Sequence, residues 1–349
     1  MKPTPYSAKP TAVPTGYPRS KKQDRSKRDV LLPTPNTDWF YESMKTISLI
    51  ILWLGILQTH YIFAQPPSKT NIPTPPTDII FERDIPYRQG HDRWVLNLIR
   101  PKETSTQPRA AIVLVHGGGW SNGDHYRFSK MGFKLAQKGY VVITPTYRMI
   151  QDKAFPACLH DVKNSIRWLR AHAKKYNIDP DNIGAYGNSA GGTLVLTAAL
   201  TKKKDGFEGE GPYQNFSSDL QAIICSGAVG NMLHPKHSKR AATVYRKLAI
   251  GKNRKLSDLE INNIMSQASP SSYVSKNVCP IILIHGAKDN VVLIDSTDEF
   301  YKAMQAANAD ITYLRFHDAG HGVMGQKGSK TMPAMYQFFE KHLNTRIKQ

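Results

Sequence analysis

The segment Ile183–Leu200 constrains the fold more than any other part of this sequence. An apolar run, Ile183–Tyr186, leads into the small residues Gly187–Gly192, and an apolar helical pattern begins at Thr193. This order predicts a strand, a sharp turn and a helix, with Ser189 at the tip of the turn. Such a turn strains the serine backbone and projects the hydroxyl clear of the sheet, so Ser189 is a candidate nucleophile.

Elsewhere, patterns typical of buried strands alternate with amphipathic-helix patterns. Strands are predicted at Asp78–Tyr87, Trp94–Ile99, Ala110–Val115, Tyr140–Thr144, Ala222–Cys225, Ile281–Ile284 and Ile311–Phe316. Helices are predicted at Asp124–Lys138, Asp161–Lys175, Asp295–Ala307 and Lys330–Leu343. The alternation predicts an α/β fold with a mostly parallel central sheet and helices on both faces. The less regular, basic interval 202–276 predicts an insertion over the active-site edge, with one helical patch at Ala241–Ile250.

The first 77 residues differ in composition from the rest of the chain. Residues 1–43 are rich in Pro, Ser, Thr, Lys and Arg, which predicts a disordered extension, and we interpret it as sequence upstream of the natural start. Residues 44–64 have the layout of a signal peptide cleaved near Ala64, with an uncleaved membrane anchor as the alternative. Residues 65–77 read as a linker and 78–349 as the folded domain. A secreted or periplasmic protein is therefore expected.

The charge of the chain is strongly positive. Of 47 basic and 27 acidic residues, 9 and 4 lie in residues 1–45, which leaves residues 65–349 a net charge of +15. Two interpretations stay open: a solvated surface that keeps the protein soluble, or attraction to an acidic polymer such as a uronic-acid-bearing polysaccharide. Basic clusters at 202–204, 236–240 and 252–255 would supply that attraction. No nucleic-acid-binding motif accompanies the charge, so a nucleic acid partner is not expected.

The three cysteines give no metal or disulfide signature. Cys158, Cys225 and Cys279 are far apart and show no spacing typical of a metal site. Buried, unpaired thiols are the favoured interpretation, although one disulfide would be possible. No metal and no cofactor are expected, and the sequence does not predict an oligomeric state.

Two further residues complete a candidate catalytic triad of nucleophile, base and orienting acid. His321 lies between two glycines in the loop after the last predicted strand, and Asp289 lies on a turn after the preceding strand. The order Ser189, Asp289, His321 is that of a hydrolase triad, and each residue follows its own strand. His321 would take the Ser189 proton, and Asp289 would hold the imidazole in the required tautomer.

Other residues compete for these roles. His317 is the alternative base, and Asp295 and Asp318 are the alternative acids. His321 is favoured over His317 as the base because its flanking glycines expose it. Asp289 is favoured as the acid because Asp295 lies where a helix would begin and Asp318 lies where it could cap a loop. His116 and His285 each follow a buried strand, and we interpret both as hydrogen-bond partners that organise loops.

An oxyanion hole is predicted from backbone N–H groups. Ala190, directly after the candidate nucleophile, and the glycines Gly118 and Gly119 would supply the donors. Glycine allows a backbone to approach substrate without a Cβ in the way. Trp120 and Tyr147 are predicted either to line the acyl or alcohol site or to pack in the core.

Four motifs occur in order along the chain: HGGGW at His116–Trp120, GNSAGG at Gly187–Gly192, GAKD at Gly286–Asp289 and GHG at Gly320–Gly322. Together they resemble the α/β-hydrolase fold. The chain is similar to the hormone-sensitive-lipase-like esterases, and still more to bacterial acetyl and feruloyl esterases that act on plant polysaccharides. Asn188 and Thr146 stand where lipase-like relatives usually have Asp, which departs from that subgroup.

The resemblance implies a cofactor-free serine carboxylesterase. We expect it to remove acetyl or feruloyl groups from polysaccharides such as xylan or pectin through an acyl-enzyme on Ser189. A small-molecule or polysaccharide ester would be its partner, and a membrane only if residues 46–64 stay uncleaved. A peptidase or aryl formamidase on the same fold, or a catalytically silent binding protein, are the alternatives.

Overall fold

A computed structural model describes residues 72–343 of the chain. The disordered extension predicted at 1–43, the leader at 44–64 and most of the predicted linker at 65–77 lie outside these residues and stay predictions. No helix among residues 72–343 is long and apolar enough to cross a membrane.

An eight-stranded sheet forms the centre of the structure. Its strands are β1 (Ile79–Pro86), β2 (Val95–Pro101), β3 (Arg109–Val115), β4 (Val141–Pro145), β5 (Ile178–Asn188), β6 (Ala222–Ser226), β7 (Ile281–Gly286) and β8 (Ile311–Phe316). The spatial order is β1-β2-β4-β3-β5-β6-β7-β8. Strand β2 runs antiparallel to both β1 and β4, and the remaining neighbours are parallel. Every predicted strand is confirmed.

Helices cover both faces of this sheet. They are α1 (Ser129–Gln137), α2 (Ala157–Ala171), α3 (Ala173–Tyr176), α4 (Ala190–Leu200), α5 (Lys239–Ile250), α6 (Asp258–Ala268), α7 (Ile294–Ala306), α8 (Val323–Gln326) and α9 (Gly328–His342). The predicted α/β-hydrolase architecture is confirmed. The prediction placed the start of α1 too early, at Asp124, because residues 121–128 form turns, and it did not include α6.

Continuous apolar strands form the core because both of their faces are buried. On one face, alternate residues of β3 and β5, such as Val113 and Ala185, pack in one cluster with Ile166 of α2. On the other face, Ile112 packs in a second cluster with Phe339 of α9. A parallel strand that is covered on both sides must be apolar at every position, which explains the uninterrupted runs in the sequence.

The predicted insertion, residues 202–276, is interrupted by the central strand β6, and its first part is tied to the domain by buried charges. Lys163 and Arg167 of α2 have side chains that are only 1% exposed, and both pair with Glu208, at 2.9 and 2.6 Å. Paired in this way, two buried cations avoid the cost of unpaired charge. Further along the insertion, α5 lies over the loop that follows β3: Tyr245 meets Trp120 edge to face, with ring centroids 6.1 Å apart.

All three cysteines are free thiols. Cys158 and Cys225 are buried, and Cys279 is half-buried. Burial raises the pKa of Cys158 to about 12 and also raises that of Cys225. Both thiols are therefore protonated at neutral pH. The predicted burial is confirmed for Cys225, whereas Cys279, for which burial was also predicted, is only half-buried.

Candidate active site

Ser189 occupies a strained turn between β5 and α4. Its backbone has φ +54° and ψ −124°, a conformation that residues other than glycine rarely adopt. The turn is tight enough to exclude side chains at its flanks. A Cβ on Gly187 would lie 2.3 Å from the Gly191 oxygen, and one on Gly191 would lie 2.2 Å from the Val115 oxygen. The sequence pattern therefore identified a turn that only glycines at these two positions allow.

The carboxyl group of Asp289 joins the ends of β7 and β8. Its Oδ2 lies 2.8 Å from Nδ1 of His321, and the Asp289 side chain has no exposed surface. The other carboxylate oxygen, Oδ1, accepts the backbone N–H groups of Val291 and Val292, at 2.8 and 2.9 Å. The predicted base and the predicted orienting acid are thus brought together. Nδ1 of His321 is engaged, which leaves Nε2 as the nitrogen that can accept a proton.

His285 is a second imidazole on the same carboxylate oxygen. Its Nε2 lies 3.0 Å from Oδ2 of Asp289, and its Nδ1 lies 3.1 Å from Oγ1 of Thr297. The Thr297 hydroxyl donates to the carbonyl of Ala228, at 2.8 Å. Sequence reasoning assigned His285 to loop organisation without naming its partner. The signal that would have found it is its place four residues before Asp289, across a tight turn at a strand end.

These contacts decide the protonation state of Asp289. Burial alone would raise the pKa of this carboxyl group, but hydrogen bonds from His285, His321 and the Val292 N–H outweigh burial and lower the pKa well below its usual value. Asp289 is therefore ionised at neutral pH. A buried carboxylate in this state holds the Nδ1–H tautomer of His321.

Ser189 and His321 both lie against the end of β6. The Ser189 N–H donates to the Ser226 oxygen at 2.8 Å, and a Cβ on the next residue, Gly227, would lie 3.2 Å from both Nδ1 and Cε1 of His321. Among the described residues, the Ser189 hydroxyl makes no hydrogen bond. In enzymes without substrate, the hydrogen bond between nucleophile and base is often long and shortens when substrate binds.

The loop after β3 approaches Ser189 from the opposite side. A Cβ on Gly117 would lie 3.0 Å from Cβ of Ser189. Nδ1 of His116 lies 2.8 Å from the Gly117 oxygen, and the buried Tyr147 donates its hydroxyl to the His116 oxygen at 2.9 Å. Burial lowers the pKa of His116 to about 4, so it is neutral at pH 7. His116 and Tyr147 therefore shape this loop.

Three backbone N–H groups in this region are free to donate. Those of Gly118, Gly119 and Ala190 have no hydrogen-bond partner within residues 72–343. Ala190 is also the first residue of α4, where the helix dipole favours negative charge. These are the three donors that the sequence predicted for an oxyanion hole.

The competing residues have other partners. Asp295 pairs with Lys236 at 2.9 Å, and Asp318 pairs with Lys327. His317 is exposed, and its Nδ1 lies 3.4 Å from Arg315. None of the three contacts Asp289, His321 or Ser189.

Comparison with known proteins places this geometry in a family. Residues 96–304 match the BD-FAE family model, which is more than half of the chain. The chain belongs to the BD-FAE family. The esterase LipC of Mycobacterium tuberculosis is 28% identical over 249 residues, which is 69% of this chain and 60% of LipC. The chain thus spans about 60% of the length of this curated relative.

Two solved structures align with a larger share of this BD-FAE protein than LipC does. A truncated carbohydrate esterase from gut microbiota has a TM-score of 0.69 and 26% identity, over 78% of this chain and all of that one. The bifunctional GH43-CE protein of Bacteroides eggerthii has a TM-score of 0.67 and 26% identity, over 75% of this chain and 38% of that one. The fold is therefore that of α/β-hydrolase esterases.

Replacing His285 by Leu should impair both turnover and acid resistance of this BD-FAE protein. Loss of one hydrogen bond to a carboxylate is expected to lower kcat toward p-nitrophenyl acetate roughly ten- to hundred-fold, with little change in KM. The pKa of Asp289 is lower in the folded protein than in the unfolded chain, where it is about 4, so the ionised carboxylate stabilises the fold above pH 4. This stabilisation is lost as the pH falls through the folded-state pKa. Without His285 the Asp289 pKa rises, so the acid-unfolding midpoint should move to higher pH.

Two variants control this experiment. His285→Gln retains a side-chain N–H donor and should recover part of the lost turnover, whereas His317→Leu alters an exposed histidine and should change neither quantity. Wild-type kcat and an unchanged acid midpoint in His285→Leu would contradict the role given to His285.

Proposed function

We propose that this protein is a serine carboxylesterase that removes acetyl or feruloyl groups from plant polysaccharides such as xylan or pectin. The observation that carries the proposal is that the strained Ser189 turn and the His321–Asp289 pair both lie at the end of β6. A strained serine on a strand-to-helix turn, together with a buried aspartate that orients an imidazole, meets the requirements of a Ser-His-Asp hydrolase.

The chemistry follows from the positions of these groups. When substrate binds, Nε2 of His321 takes the Ser189 proton while the serine oxygen attacks the ester carbonyl. The N–H groups of Gly118, Gly119 and Ala190 hold the resulting oxyanion, each donor contributing about 3 kcal/mol. The imidazolium then protonates the leaving alcohol and an acyl-enzyme forms. His321 next takes a proton from water, which attacks the acyl carbonyl, and the imidazolium then returns that proton to the Ser189 oxygen as the free acid leaves.

Two observations support a carbohydrate ester over other substrates of this fold. The first solved structure described above is a carbohydrate esterase and aligns at 26% identity over 78% of this chain. The folded domain is also basic, which suits a polysaccharide with acidic substituents.

Export would bring the enzyme to such a polymer, so we propose that residues 44–64 direct secretion. N-terminal sequencing of the exported protein should then give a sequence that begins near Gln65.

Ser189→Ala tests the proposed chemistry directly. Wild-type enzyme should release a burst of p-nitrophenol from p-nitrophenyl acetate, because this activated ester should acylate Ser189 faster than water hydrolyses the acyl-enzyme. The variant lacks the attacking oxygen and should lose the burst and roughly a thousand-fold or more of kcat. Stopped-flow absorbance measures both quantities.

The exposed Ser329, on α9, provides the matched control. Ser329→Ala should keep the burst, and circular dichroism should show that both variants are folded. Assays with acetylated xylan, feruloylated oligosaccharides, peptides and N-formylkynurenine then test the substrate class. Equal turnover in Ser189→Ala and wild type would refute the triad, and turnover of peptides or N-formylkynurenine alone would refute the polysaccharide assignment.

A further inference from the structure

A cleft of about 480 Å³ opens between the loop after β4 and the carboxyl end of α5. Arg148 and residues 151–157 form one wall and residues 250–254 the other, and His160 completes the lining. The walls are fixed to each other, because the Phe155 N–H donates to the Leu248 oxygen at 3.0 Å. We call this space the basic cleft, and its volume is in the range of small-molecule sites.

The basic cleft carries positive charge that the protein does not neutralise. Lys153, Lys252 and Arg254 are exposed and form no ion pair within the part of the chain that the structure describes. Arg254 donates only to backbone carbonyl groups at the end of α5. The one carboxylate in the lining, Asp152, is already 3.0 Å from Nε of Arg93. Three cations therefore face this space without a counter-charge.

Two other lining residues refine this description. Arg148 does not add to the free charge, because Asp161 accepts from its Nε and Nη2 at 2.9 and 2.8 Å. His160 has a buried Nε2 without a hydrogen-bond partner in residues 72–343. Because this atom has almost no accessible surface, the free charge of the lysines and Arg254 is what the cleft offers to a ligand.

The basic cleft adjoins the loop that carries the candidate oxyanion donors. The Ile150 N–H donates to the Trp120 oxygen at 2.9 Å, and Gln151, which lines the cleft, donates to the Ser121 oxygen at 3.1 Å. Gly119 and Val244 of α5 face each other across the same boundary. The loop that begins beside Ser189 at Gly117 therefore borders the cleft through Ser121.

We propose that the basic cleft binds the carboxylate of a uronic acid residue near the esterified sugar, so that the enzyme prefers acidic oligosaccharides. This proposal rests on the esterase function proposed above. Uncompensated lysine charges attract a carboxylate, and a volume of this size accommodates one sugar unit. The interaction is solvent-exposed, so salt screens it.

The double variant Lys153→Gln/Lys252→Gln tests this assignment. Its substrates are two acetylated xylo-oligosaccharides matched in length and acetyl content, one with a glucuronic acid branch and one without. Removing two cations should lower kcat/KM for the acidic substrate roughly ten-fold at low salt, mainly through KM. The neutral substrate and p-nitrophenyl acetate should be turned over as by the wild type. Raising the salt to about 0.5 M should reduce the wild-type preference for the acidic substrate.

A matched variant separates the cleft from the overall charge of the protein. Lys203→Gln/Lys204→Gln removes two exposed lysines that do not line the cleft, and it should leave the preference for the acidic substrate intact. Equal losses in both double variants, or no wild-type preference for the acidic substrate, would overturn the proposal. Failure of the wild type to hydrolyse p-nitrophenyl acetate would instead refute the esterase function, so the two failures are distinguishable.

Discussion

A single buried oxygen, Oδ2 of Asp289, holds the site together. It accepts from His321, which supplies the proposed base, and from His285, which reaches back through Thr297 to the segment after β6. Isolated buried carboxylates are unfavourable, and this one is ionised because donors surround both of its oxygens. The same hydrogen bonds that stabilise the charge also fix the imidazole it must orient. Stability and chemistry therefore depend on one set of contacts at this strand end.

The parallel sheet explains why residues from distant parts of the chain meet. Ser189, Asp289 and His321 follow β5, β7 and β8, and in a parallel sheet the carboxyl ends of neighbouring strands share one edge. Strand β6 lies between β5 and β7, and the small residues at its end allow close approach from both sides. The insertion then covers this edge with α5. The fold provides the convergence, and the loops provide the functional groups.

Much of this was predictable from the sequence, because strong local patterns determine it. Continuous apolar runs located the buried strands, and the glycines around Ser189 and His321 located the two functional loops. The contact between His285 and Asp289 was missed: the four-residue spacing at a strand end was visible in the sequence, but the contact also depends on how tightly the turn after β7 closes. The basic cleft was only partly predictable from the sequence. The cluster at 252–255 is contiguous in the chain, but Lys153 comes close to it only in the folded structure. Helix α6 was not predicted, although Ser257 and Glu260 form a capping box at its N-terminus, which is a sequence signature of a helix start.

The central claim is that Ser189 is activated by His321 at this strand end. A p-nitrophenyl phosphonate ester reacts only with an activated nucleophile, and tandem mass spectrometry locates the adduct. The account predicts one adduct per chain, on Ser189, and much slower labelling in His321→Gln. An adduct on another residue, or labelling of Ser189 at an unchanged rate in His321→Gln, would contradict it.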